Sequence, residues 1–245
     1  MKMSAPILEL DGISKRFGAI IVADSINLAL GEGEALGIIG PNGAGKTTLF
    51  AIVSGTLAPD AGRVFYAGRE ITRASPAERC VMGIGRTFQI PLPFAGISVF
   101  ENLVVAAAFG GGRREREVYD VCMQILERCG LADKVNRRAG SLILVDRKRL
   151  ELARALATAP RVLLLDEVAG GLNEHECRAL IDLIGEIRRS GVSIIWIEHV
   201  VHALLASVSR LLVLHGGAFI AGGDPHAVIR SPAVAEIYMG IKADV

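Results

Sequence analysis

The stretch GPNGAGKTT, residues 40–48, gathers the residue types that hold a polyphosphate. It fits the pattern Gly-x-x-x-x-Gly-Lys-Ser/Thr at Gly40, Gly45, Lys46 and Thr47, between an apolar run (ALGII) and a helical one. Gly43 and Gly45 let the backbone wrap around a phosphate. The amides of residues 43 to 48 then point inward, and the start of the following helix adds partial positive charge. Asn42, Gly43, Ala44, Gly45, Lys46, Thr47 and Thr48 are the expected nucleotide contacts. Lys46 is expected to bridge the β and γ phosphates, and the Thr47 hydroxyl to complete a Mg²⁺ shell.

A second chemical element is RVLLLDE, residues 161–167, an apolar run that ends in two adjacent carboxylates. Two acids at the end of a buried strand are costly unless they serve a cation. Asp166 can hold Mg²⁺ through water, and Glu167 can polarise the water that attacks a phosphoryl group. His199 follows another apolar run, VSIIWIE, on the edge where parallel α/β sheets gather ligands.

These groups meet only if the elements carrying them are neighbours. Residues 7–17 (ILELDGISKRF) and 25–30 (SINLAL) read as strands whose alternation predicts an antiparallel β layer. Beyond Gly40, buried-strand runs (RVLLLDE, VSIIWIE, RLLVLH) alternate with helical patterns, which predicts a mostly parallel sheet with crossover helices. The stretch from about 90 to 160 reads as helical, with Val118, Val121, Cys122, Ile125, Leu126 and Cys129 on one face. An amphipathic helix is expected from Cys177 to Gly191. Asp224 and Pro225 should start another, and a last one is expected over PAVAEIYMG, residues 232–240.

Bulk properties exclude several classes. Lys plus Arg total 27 and Asp plus Glu 26, so a net charge of +1 provides no field for nucleic acid. The chain is 51% hydrophobic with mean hydropathy +0.43, yet no apolar run reaches the ~18 residues of a membrane span. Glu9 and Asp11 interrupt the N-terminal segment before a signal-peptide core develops, so a cytoplasmic location is expected. Cys80, Cys122, Cys129 and Cys177 lack metal-site spacing and read as buried thiols.

In their order along the chain these motifs resemble the nucleotide-binding subunit of ATP-binding-cassette (ABC) transporters, over essentially all 245 residues. Phe17, in SKRFG, stands where that family has an aromatic that stacks on adenine. GPNGAGKTT corresponds to its Walker A motif, Gln89 in GRTFQ to its Q-loop, and LLLDE to its Walker B motif with Glu167 as catalytic carboxylate. GGLN, residues 170–173, resembles the D-loop, and His199 the switch histidine. The resemblance implies ATP and Mg²⁺, with Thr47, Gln89 and Asp166 around the metal and Glu167, His199, Gln89 and Lys46 in catalysis. It also implies an α/β P-loop NTPase fold: a mostly parallel core sheet, an antiparallel β layer and an inserted helical subdomain. The whole would be one nucleotide-binding domain, with residues 1–89 and 160–245 as core and 90–159 as the helical part.

Within that family GIGRTFQ, SVFENLVVAA, RKRLELARALA, GGLN, WIEHV and PAVAEIYMG are most similar to the ATPases of branched-chain amino acid importers. Similar subunits serve other hydrophobic amino acids, short amides and urea. The expected partners are a second ATP-binding subunit, two integral membrane permease subunits and, indirectly, a solute-binding protein. The chain would then lie on the inner face of the membrane. Ile90, Leu92 and Phe94 are candidates for the permease contact, with core packing as the alternative.

One segment departs from the family pattern. Where a Leu-Ser-Gly-Gly-Gln signature precedes the helix RLELARAL, this chain has Leu142, Ile143, Leu144, Val145 and Asp146. Ile143 replaces a hydroxyl donor, and Val145 a glycine that lets a phosphate approach the backbone. Asp146 is expected to cap the helix at Arg147 and to repel a γ-phosphate if it faces one. Val168 replaces a common proline. Because sites in this family form between two subunits, the altered signature implies a heterodimer with one weak site, a homodimer being the alternative. The rival functions are a regulatory ATP-binding subunit with weak turnover and a non-transport ABC ATPase. The latter would call for tandem cassettes, a long coiled coil, zinc cysteines or a basic face.

Overall fold

A computed structural model describes residues 5–232 and Val234. Strands β1 (Leu8–Phe17) and β2 (Ile20–Leu30) form an antiparallel hairpin around Gly18, and their alternating Leu8, Leu10, Ile13, Ile26, Leu28 and Leu30 are buried. Strand β3 (Ala35–Ile39) is buried along its whole length and runs into the glycine-rich loop and helix α1 (Lys46–Val53). Strands β4 (Ala61–Tyr66) and β5 (Arg69–Glu70) join the hairpin in a four-stranded antiparallel sheet of order β2-β1-β4-β5.

Helix α2 (Pro76–Met82) leads to β6 (Ile84–Arg86). Helix α3 (Val99–Val105), a π-helical turn (Ala106–Gly110), α4 (Tyr119–Arg128) and α5 (Leu144–Ala157) follow, before the chain returns to the sheet as β7 (Val162–Asp166). Helix α6 (Glu174–Arg189), strand β8 (Ser193–Ile197), helix α7 (Val201–Ser207), the hairpin β9 (Arg210–His215) and β10 (Ala218–Gly223), and helix α8 (Pro225–Ile229) complete the described elements.

The second sheet has six strands in the order β10-β9-β3-β8-β7-β6. It is parallel from β9 to β6, and β10 is its antiparallel edge. Successive side chains alternate between two cores. Leu164, Ile195 and Ile197 face the antiparallel sheet together with Leu10, Ile13 and Phe50. Leu163, Leu165, Ile194 and Trp196 face the helices together with Leu150, Leu156 and Ile184. This two-sided burial explains why β7 and β8 read as continuous apolar runs.

Helix α6 starts earlier than its apolar face predicts, because the Asn173 side chain accepts from the Glu176 amide at 3.0 Å and Glu176 accepts from the Asn173 amide at 2.9 Å. Asp224 caps α8 as expected, accepting from the Ala227 amide at 2.9 Å. Apart from Pro232 and Val234, the helix expected over residues 232–240 lies outside the described residues. Among the described residues no helix is long and apolar enough to cross a membrane.

Candidate functional site

The glycine-rich loop lies between the end of β3 and the start of α1. Gly43 and Gly45 adopt φ of 81° and 103°, the left-handed region open to glycine. Gly45 is the N-cap of α1, and with no side-chain cap there the first-turn amides stay available to a ligand. A Cβ on Gly45 would sit 2.2 Å from the Val22 carbonyl oxygen, so the hairpin leaves no room for any other residue. The Lys46 ammonium donates to the carbonyls of Gly40 at 2.7 Å and Pro41 at 3.0 Å. Burial lowers its pKa, opposed by the charges of Glu167 and Asp166.

An open cleft of about 650 Å³ brings most of the sequence candidates together. Phe17, the consecutive residues Asn42 to Thr48, Gln89, Glu167 and His199 all line it, and so does Val22, which carries no chemical signal in the sequence. Glu167 is held at both oxygens. Gln89 donates from Nε2 to Oε2 at 2.5 Å, and His199 Nε2 lies 2.9 Å from Oε1. Glu167 itself has φ of 50°, an uncommon backbone for a residue with a Cβ.

Asp166 does not open on the cleft. It is 3% exposed and its Oδ2 lies 3.1 Å from Nη2 of Arg86. Burial raises its pKa, and the Arg86 charge and hydrogen bond pull the other way. Arg86 also donates to Ser54 Oγ at 3.1 Å and sits over the rings of Phe50 and Phe88.

Sequence reasoning did not select Arg86, Lys148 or Glu198. Lys148, on α5, donates to the carbonyls of Glu167, Val168 and Gly170. Glu198 is fully buried and accepts from the Ala169 amide at 2.7 Å and the His199 amide at 3.0 Å. Adjacency to His199 is the one sequence signal that could have found Glu198; Lys148 lies far from the carbonyls it binds and reads as an ordinary helix-surface lysine.

A carboxylate with a partner at each oxygen, an ammonium and a ring of loop amides around one cleft suit phosphoanhydride hydrolysis. The family model described as ABC transporter matches residues 23–170. The chain belongs to the ABC transporter family. A branched-chain amino acid transport ATP-binding protein, LivG of Salmonella typhimurium, is 36% identical over 97% of this chain and 99% of its own length. BraF of Pseudomonas aeruginosa, described in the same terms, is also 36% identical with the same coverage. The ADP conformation of MJ1267, an ATP-binding cassette of an ABC transporter, superimposes with a TM-score of 0.88 at 32% identity, covering 97% of this chain and all of that one. This ABC chain therefore has the nucleotide-binding α/β fold expected of it.

The signature-equivalent segment of this ABC chain corrects one expectation. Asp146 neither caps α5 nor faces outward: the helix begins at Leu144 with Ile143 as N-cap, and Asp146 lies inside the first turn. It is buried, with Oδ1 3.3 Å from Lys134 Nζ and 3.9 Å from Arg149 Nη1, so a cationic pocket on its inner side attracts it. Ile143 and Leu144 take the outer surface instead, 66% and 55% exposed. Ile90, Leu92 and Phe94 are also exposed, which removes core packing as their role.

Proposed function

We propose that this ABC chain is the ATP-hydrolysing subunit of an importer for branched-chain or related hydrophobic amino acids, working from the membrane's inner face. The observation that carries the chemistry is the double grip on Glu167 by Gln89 and His199 at the mouth of the glycine-rich loop. Held at both oxygens, Glu167 acts as general base toward a water in line with the γ-phosphorus, and His199 keeps the γ-phosphate in register. The loop amides and Lys46 hold the phosphates, and Phe17 stacks on the adenine.

Thr47, Gln89 and Asp166 would hold Mg²⁺. The fit rests on the Thr47 hydroxyl and Gln89 carboxamide, which line the cleft, while the enclosed Asp166 carboxylate at the strand end, its Oδ2 engaged by Arg86, would reach the ion through water. When bound, the ion neutralises charge on the transferred phosphoryl group.

Glu167→Gln tests the reading. The variant should bind ATP as wild type does and lose turnover, whereas Lys46→Ala should weaken binding as well. Undiminished hydrolysis by Glu167→Gln would remove Glu167 from the role of base.

The outward Ile143 and Leu144 support a second subunit of a different kind. An apolar surface without hydroxyl or glycine is poorly suited to a partner's γ-phosphate, so the complete site would pair this chain's loop with another subunit's signature. Hydrolysis by this chain alone should be slow and should rise when that subunit is added. Strong cooperative turnover by a homodimer would overturn the asymmetry.

A further inference from the structure

Glu167 begins a turn whose shape is not its own preference. With φ of 50° it occupies a region that strains a non-glycine residue and that persists only where surroundings enforce it. Two charged groups surround this turn, Glu198 buried and Lys148 half-buried. From one side the Lys148 ammonium reaches the carbonyl oxygens of Glu167, Val168 and Gly170, at 3.4 Å from each of the first two. From the other, the two oxygens of Glu198 accept from Ala169 N at 2.7 Å and His199 N at 3.0 Å. Glu167 N also donates to Ile197 O at 2.9 Å, which fixes where the turn leaves the sheet.

We infer that Lys148 and Glu198 are positioning residues that clamp the 167–170 turn and aim the Glu167 carboxylate, and the His199 ring beside it, into the cleft. This rests on the reading of Glu167 as the base. One charged group satisfies the carbonyls of the turn and the other its amide, so the turn cannot relax without leaving a buried ion unpaired. Because Glu198 holds both Ala169 and His199, the base and the histidine move as one unit. Lys148 adds a link to α5, whose N-terminal end carries the exposed N-cap Ile143 and first residue Leu144. A displacement at that surface is thereby transmitted through α5 to the base of the same chain, with no contact to nucleotide. Burial lowers the Lys148 pKa, and the charges of Glu198 and Glu167 oppose that shift.

The test compares Glu198→Gln, Lys148→Met and Lys148→Arg with wild type, in the assembly that supports wild-type turnover. The glutamine offers one acceptor and turns a donor toward the second amide. Methionine keeps the length of the lysine and removes its charge. Both should lower kcat by about ten-fold or more, with KM and nucleotide affinity unchanged. Lys148→Arg should recover most of the rate, since a guanidinium can serve several carbonyls and a cavity of about 130 Å³ beside Lys148 has room for it. A rise in KM at unchanged kcat, or failure of arginine to rescue, would overturn the clamp.

Hydrogen exchange on the wild-type chain gives a reading that does not depend on how the variants fold. The Ala169 and His199 amides should exchange slowly, and exchange at the rate of open loop amides would reject the inference. Glu167→Gln assayed in parallel separates the two ideas. Loss of turnover there with normal Glu198→Gln and Lys148→Met rejects the clamp alone, and full turnover there rejects the base and the clamp together.

Discussion

Arg86 and Asp166 form a buried ion pair where β6 lies beside β7, with Nη2 3.1 Å from Oδ2 and both side chains almost fully enclosed. The pair joins three parts of the site. Arg86 lies three residues before Gln89, Asp166 immediately precedes Glu167, and Ser54, which Arg86 also contacts, closes the far end of α1. A carboxylate in such surroundings stays ionised only if a cation is held against it.

Arg86→Ala should therefore destabilise the protein by about 3–5 kcal/mol, the cost of leaving a buried charge without its partner. Urea denaturation measures it, as a lower midpoint at unchanged slope. A loss under about 1 kcal/mol would mean that Asp166 is hydrated or protonated without the arginine.

Gly45→Ala should abolish tight nucleotide binding while leaving most of the fold in place. Its φ of 103° and the Val22 carbonyl 2.2 Å from the new Cβ force either the loop or the β1–β2 hairpin to shift. Titration with a fluorescent ATP analogue should show affinity down by at least about ten-fold, equivalent to about 1.4 kcal/mol. Wild-type affinity would show that the loop tolerates the shift.

Much of this site was legible because phosphate chemistry is written locally. A loop cradle needs consecutive residues, so GPNGAGKTT could be read without the fold, and so could the carboxylates that end RVLLLDE. The supporting shell is non-local. Arg86 and Asp166 are 80 residues apart, and nothing near Lys148 announces the three carbonyls it serves. Strand β6 escaped notice for a related reason: it is three residues long and includes Gly85, where a Cβ would press on Pro160 at 3.0 Å. Asp146 was misread because its partner Lys134 comes from the short turn that follows α4 and draws the side chain inward, which helix-capping statistics do not anticipate.

Cys129 and Cys122 should be unreactive in the folded protein. Burial raises their thiols to about 12 and about 11. At pH 8 the thiolate of Cys129 would amount to on the order of one molecule in ten thousand. Iodoacetamide should leave both unlabelled until denaturant is added, and rapid labelling of the native chain would place them in contact with solvent. Since each thiol is less acidic folded than unfolded, the unfolded chain loses its protons first as pH rises. Their contribution to stability therefore falls from about pH 9 upward, until the folded thiols ionise too.

The segment from Ile90 to Phe94 combines a fixed backbone with outward apolar side chains, and that combination yields the last prediction. Arg154 donates to the Leu92 carbonyl at 3.0 Å and stacks on Phe94, while Asn102 accepts from Phe94 N at 2.9 Å and donates to Phe94 O at 3.1 Å. Pro91 and Pro93 stiffen the same stretch. Ile90 and Leu92 nonetheless remain 71% and 73% exposed. A rigid apolar strip beside Gln89 is preorganised for a partner and costs little further ordering on binding. Leu92→Asp should leave the thermal midpoint and ATP affinity of the isolated chain unchanged, because the side chain has little native packing to lose. If the chain works as an importer's motor, as proposed, the variant should abolish co-purification with the expected permease subunits, and with it any stimulation of hydrolysis by them. Retained co-purification would remove this strip as the proposed permease contact, whereas a large drop in midpoint would show that Leu92 packs within the chain.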